Sequence, residues 1–304
     1  MTEFKAKDMT THYTVFEPSN LNFTEVEDND RSKGQRIAYP RYNHPSLGEG
    51  LPVFIQFPWS TLFSYGVPRV GDYYKTDQER SFLKYPLDLE DTEQKVLIEK
   101  MKELDSILSS NKMKKKLFGK KGTKMCYQPI YRVAYQDEED DKQRPPYFKL
   151  KIDTTWPDYK VRTLVYDSVL DDTGKKRKRT LLEVSSIDDF ANEVRYMSKI
   201  RPIIRPVKLW AQPMNKKDPQ YGVTFKIIKI EREASNNNGS VYSTYMSNDA
   251  FLDSDEEDEE IPTFETNDVE SSDESESDSD SEDDTEEVEA TPKKKKRGRK
   301  TANS

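Results

Sequence analysis

Cysteine is all but missing: Cys126 stands alone in 304 residues, which excludes a disulfide framework and a cysteine-built metal cage. Histidine is nearly as scarce. His12 and His44 both fall in the irregular amino-terminal region, and no Walker loop, GxSxG or HExxH occurs. No apolar run approaches the length of a membrane span, and no signal peptide is read. These absences point to a soluble, intracellular protein that is not an enzyme and needs no cofactor or metal. Asp171 with Asp172, and Asp188 with Asp189, offer Mg²⁺ ligands of the kind a nuclease uses, but a turn and the first turn of a helix account for both pairs.

Apolar residues are also in short supply, 33% of the chain against 35% charged, so the folded part is expected to be shorter than the chain. What is abundant is charge, unevenly placed. From Asp253 to Ser304 there are 21 acidic and 7 basic residues, which leaves 42 basic and 36 acidic residues before them. The net charge of −8 therefore conceals a body of about +6 carrying a strongly acidic tail.

Along the chain, residues 1–32 read as a flexible arm in which His12 to Phe16 has the pattern of an edge strand. Residues 33–124 follow with strands and a long helix, Asp91 to about Phe118, whose Leu97, Met101, Leu104 and Leu108 form one apolar stripe beneath a capping-box spacing of Asp91 and Gln94. Residues 125–232 switch to strands, near Met125–Tyr135, Tyr147–Asp153 and Lys160–Asp167, then a hairpin tip and a short strand at Thr180–Val184. Ser186 opens a helix with Ile187, Phe190, Val194 and Met197 at helical spacing, and two long strands close the set. Three strands, a helix and two strands is the element order of an OB-fold. The expected class is mainly β with α, an OB-fold-like five-stranded barrel elaborated by the amino-terminal strands and long helix. Residues 233–304 lack the apolar content for a core and are expected to be disordered.

Strand alternation suggests what such a core would bind. In YFKLKID, Tyr147, Lys149 and Lys151 share the face opposite Phe148, Leu150 and Ile152. In KVRTLVYD, Lys160, Arg162 and Tyr166 share a face. Between them the turn TTWPDYK leaves Trp156 and Tyr159 at a rim fixed by Pro157. Backbone phosphates need cations and unstacked bases need flat apolar surfaces, so this sheet suits single-stranded nucleic acid. The run Lys175, Lys176, Arg177, Lys178 and Arg179 reads as a flexible basic finger at a hairpin tip, or alternatively as an import signal or a solvated loop. Lys208, Lys226 and Lys229 sit at the margin of the last two strands, and Trp210 between them is expected in the core.

The tail divides in two. Its acidic part offers a competing polyanion, a docking segment for basic partners or a solubiliser, with Ser254, Ser272, Ser279 and Ser281 in the context of acidophilic kinases. Its end, Lys293, Lys294, Lys295, Lys296, Arg297, Arg299 and Lys300, reads as a nuclear-import signal recognised by an import receptor, which points to the nucleus.

The segments SKIRPIIRPVKLWAQ and QYGVTFKIIKIE, with the helix before them, resemble the single-stranded DNA-binding proteins of nucleo-cytoplasmic large DNA viruses, the poxvirus-type family. The likeness spans Leu51 to Arg232 loosely and Ile187 to Arg232 best. It implies an OB-fold that coats single-stranded DNA during replication, repair or recombination, in the host nucleus or a viral replication factory and with replication proteins as partners of the acidic tail, and the basic terminus departs from the usual acidic ending of such proteins. RNA in place of DNA and self-association on the strand stay open. Two rivals stand beside this reading: an acidic-tailed chaperone or chromatin-associated protein, and a nuclease.

Overall fold

The computed structural model describes residues 5–30, 34–134, 144–171, 174 and 176–234. The amino-terminal part supplies eight short strands: β1 (Thr10–His12), β2 (Leu21–Phe23), β3 (Glu27–Asp28), β4 (Arg36–Ala38), β5 (Pro40–His44), β6 (Gly48–Leu51), β7 (Phe54–Gln56) and β8 (Ser60–Thr61). Next come α1 (Asp77–Arg80), β9 (Phe82–Pro86), α2 (Thr92–Ser109) and α3 (Asn111–Phe118). The remainder comprises β10 (Cys126–Gln128), β11 (Tyr131–Arg132), β12 (Tyr147–Ile152), β13 (Leu164–Leu170), β14 (Arg177–Leu182), α4 (Ile187–Glu193), β15 (Lys199–Ala211) and β16 (Gln220–Glu233). The protein is thus mostly β with some helix.

Its spine is the long antiparallel ribbon β15–β16. The free edge of β16 receives β10, β12 and β13 in turn, all parallel to it, while the free edge of β15 receives β8, β7 and β4, all antiparallel. β1 extends β7, β9 and β11 pair β12, and β14 pairs β13. The resulting mixed sheet is open among the described residues, with no strand pairing that closes it into a barrel. A second, three-stranded sheet is formed by β2, β5 and β6.

The long strand β15 tolerates two prolines because of where they fall. Pro202 accepts the Phe57 N–H through its carbonyl, so its missing N–H points to the same edge, into the gap between β7 and β8. Pro206 adjoins a register shift against β16. One face of the ribbon is apolar: Ile200, Ile204, Phe225, Ile227 and Ile230 are buried, and the α2 stripe Leu97, Met101, Leu104 and Leu108 belongs to the same core. Each such side chain contributes about 1.5–3 kcal/mol relative to exposure.

Several elements differ from expectation for identifiable reasons. The amino-terminal arm is folded from residue 5 to 30, since Tyr13, Phe16 and Leu21 are buried in the main core and β1 pairs β7. The long helix breaks at Ser110, whose extended backbone ends α2 and whose hydroxyl accepts the Met113 N–H to cap α3. Asp91 does cap α2, through the Gln94 N–H, but the Gln94 side chain turns to the Asp88 N–H and Ser60 instead of closing a box. α4 stops at Glu193, leaving Met197 exposed with a positive φ. Expected strand 125–135 is two strands, pinned by the Asp105 carboxylate, which accepts from the Ile130 and Tyr131 N–H groups and the Tyr127 hydroxyl.

The described residues fall within one unit, Met1–Asn236. The acidic tail, its serines and its basic end lie outside the described residues. Among the described residues no helix is long and apolar enough to cross a membrane.

Candidate nucleic-acid interface

The face of the β15–β16 ribbon opposite the core is built by alternation. On β15 it carries Lys199, Arg201, Ile203 and Arg205; after the register shift it continues with Lys208 and Trp210. On β16 the paired positions are Lys229 opposite Ile203, Lys226 opposite Arg205 and Gly222 opposite Trp210. Six cations therefore line one surface of the spine. At about 3.3 Å per residue, the stretch of β15 from Lys199 to Lys208 extends this row over ~30 Å.

At one end the cations gather around a ring. Trp59, just before β8, has the guanidinium carbons of Arg177 at 4.4 Å and Arg201 at 4.7 Å from its centroid, with the Lys199 ammonium at 6.0 Å. Two glutamates of β16 hold these groups: Glu233 pairs Arg177 at 2.8 Å and Lys199 at 3.2 Å, and Glu231 pairs Arg179 at 2.9 Å and Arg201 at 2.6 Å. Burial pushes the Glu231 carboxyl up, but hydrogen bonds from Arg201 and Ser168 and the two guanidinium charges outweigh it and hold the group below the ordinary carboxylate range. Beside Glu231 a cavity of about 520 Å³ opens between β1 and the ribbon, lined among others by His12, Tyr166, Arg179, Arg201 and Lys229.

At the middle, Lys151 of β12 stands in register with Lys226, and Lys208 lies nearby. Loss of hydration and the charges of Lys208 and Lys226 lower the Lys151 pKa, and the same two causes, with Lys226 as the charge, lower that of Lys208. Among the described residues only Asp153, at 2.5 Å from Lys226, answers this cluster. Arg205 lies 5.6 Å from the Phe54 ring, and its Nε is buried with no hydrogen-bond partner, a state that an outside acceptor would relieve.

The loop after Asp153 forms the rim. Trp156 is 75% exposed, with its ring edge-on to Tyr159 at 5.5 Å. Lys160 and Arg162 belong to this loop and not to a strand face, because β13 begins only at Leu164; both are exposed, and Arg162 reaches Asp153 at 4.0 Å. Tyr166 remains on the expected face, inside the cavity.

Other candidates are placed differently from their sequence reading. Tyr147 is buried, its ring 5.1 Å from that of Tyr65 and its face covered by the Lys84 ammonium at 5.2 Å, so it is no base platform. Lys149 lies half-buried over Phe82 at 4.0 Å. The basic finger is strand β14: Arg177 and Arg179 are laid across the sheet by their glutamates, and Lys178 points to the opposite face. Lys176 is exposed just before β14, and Lys175 lies outside the described residues. Trp210 is half-buried rather than core, resting where a Cβ on Gly222 would come within 3.2 Å of its ring.

Trp59, Lys199, Arg201 and Arg205 escaped the sequence reading. The spacing of cations at 199, 201 and 205 was the available signal, masked by Pro202 and Pro206, which argue against a strand. Nothing in local sequence pairs Trp59 with arginines more than a hundred residues away.

No protein-family model matches this chain. It is similar to the "Uncharacterized protein R505" of Acanthamoeba polyphaga mimivirus, at 26% identity over 289 aligned residues, covering 81% of this chain and 67% of that protein.

Proposed function

We propose that the protein binds single-stranded DNA without enzymatic action, through the outer face of the β15–β16 ribbon, in support of viral DNA replication, repair or recombination. The observation that carries this is the ribbon itself: Lys199, Arg201, Arg205, Lys208, Lys226 and Lys229 in a row, flanked by Trp59 at one end and the exposed Trp156 at the rim. Cations in a row follow a phosphate backbone, and rings beside them accept unstacked bases of any sequence. The likeness to a giant-virus protein supports the viral setting. In this reading the strand, strand, strand, helix, strand, strand order from β12 to β16 is an opened variant of the OB arrangement, with ligand carried on its sheet face.

Competition of an unstructured oligonucleotide against a duplex of equal length, at equal salt, tests the proposal. The single strand wins if rings stack on bases; equal affinities would reduce the face to a general polyanion surface. A metal-dependent cleavage assay on the same sample separates binding from nuclease activity.

A further inference from the structure

The cavity between β1 and the ribbon is more specific than a basic row requires. One Glu231 carboxylate oxygen accepts from Arg179 Nε and the other from an Arg201 terminal nitrogen, so a single acid fixes two guanidiniums at its wall. Each arginine has five N–H donors and spends one on this acid, leaving the remaining donors of both groups for another acceptor. Lys229 adds an ammonium that has no ion pair or hydrogen bond among the described residues, while Tyr166 and Ile203 supply apolar wall and Gln56 supplies an amide. These three cations and Lys7 against one carboxylate leave the lining positive, and the cavity volume of about 520 Å³ falls in the ~300–1,000 Å³ range of small-molecule sites, far more than a bare phosphate fills.

We propose that this cavity is a mononucleotide subsite: it takes one nucleoside 5′-phosphate, the phosphate on Arg179, Arg201 and Lys229 and the base against Tyr166. The inference rests on the single-strand reading when the nucleotide is one unit of the bound strand turned out of its row. The same chemistry also admits a free nucleotide. Glu231 is then the positioning residue that holds both guanidiniums ready.

Calorimetric titration of the full chain with dTMP, thymidine and inorganic phosphate tests it without any variant. Binding of dTMP at least tenfold tighter than either fragment is expected; dTMP no tighter than phosphate alone would overturn the subsite. Lys229→Gln and Tyr166→Leu should each weaken dTMP by about tenfold, while Lys178→Gln, on the opposite face, should not; equal effects of all three would also overturn it. Repeating the titration on protein saturated with a thymidine oligonucleotide separates the sources. Loss of the dTMP signal assigns the site to a nucleotide of the strand, and its persistence assigns it to free nucleotide. If oligonucleotides bind and dTMP does not, the subsite alone falls; if dTMP binds and oligonucleotides do not, it is the single-strand reading that falls.

Discussion

Trp156 shows how a single residue separates binding from folding. The residue is 75% exposed, so it contributes little to the core, yet its loop begins at Asp153, which pairs Lys226 on the ribbon face. Trp156→Ala should cost about 1–3 kcal/mol of single-strand affinity, measured by fluorescence anisotropy, with the urea midpoint unchanged. Lost stability with unchanged affinity would assign the ring to the fold instead. The opposite case is Asp105. Burial raises its carboxyl above the ordinary range, against hydrogen bonds from Ile130, Tyr131 and Tyr127 that work the other way, and Asp105→Ala would orphan two backbone N–H groups. A loss of about 3 kcal/mol in urea unfolding is expected, with affinity per folded molecule preserved. At this scale the sequence was partly legible. Trp156 could be read because a turn containing Pro157 has no core to offer it. Trp210 misled because a ribbon apolar on both flanks implies two-sided burial, whereas its ring lies over Gly222 on the open face.

Among the elements, α2 and α4 were visible in the chain because caps and 3.6-residue periodicity are local properties. The role of β14 was not, because it is set by Glu231 and Glu233, more than fifty residues away. The same holds for the open sheet: element order is written locally, but which strands share the β16 edge depends on long-range pairing. α4 carries a pH signature. The Asp189 carboxylate accepts from the Ser186 N–H at 2.9 Å and from the Ser185 N–H and hydroxyl, which lowers its pKa from 3.8 to about 2. A pKa depressed by folding stabilises above the ordinary carboxylate value and is lost as pH falls through the folded one. Asp189→Asn should therefore flatten the acid dependence of the melting temperature between about pH 4 and 2, and leave the neutral side of the curve unaltered in shape. Unchanged acid dependence would remove the Asp189 carboxylate from the account of α4.

For the whole molecule, charge is the organising quantity. A body of about +6 is tethered to 21 acidic residues, and under the proposed function such a tail would compete with DNA at high local concentration. Removing residues 253–289 should raise affinity for short single strands at low salt, with the difference vanishing as salt approaches molar levels. Equal affinities at low salt would leave the tail as a docking or solubilising segment.

The central claim, that the ribbon face follows a phosphate backbone, is tested most directly by the salt dependence of single-strand binding. Each phosphate neutralised on a single strand adds about −0.7 to the slope of log affinity against log salt, so the six cations predict a slope of about −4 when Lys199, Arg201 and Lys226 exchange their carboxylate partners for phosphates. In Lys208→Gln with Lys226→Gln the slope should relax to about −3. A slope near zero, or one that the double substitution does not change, would contradict the account.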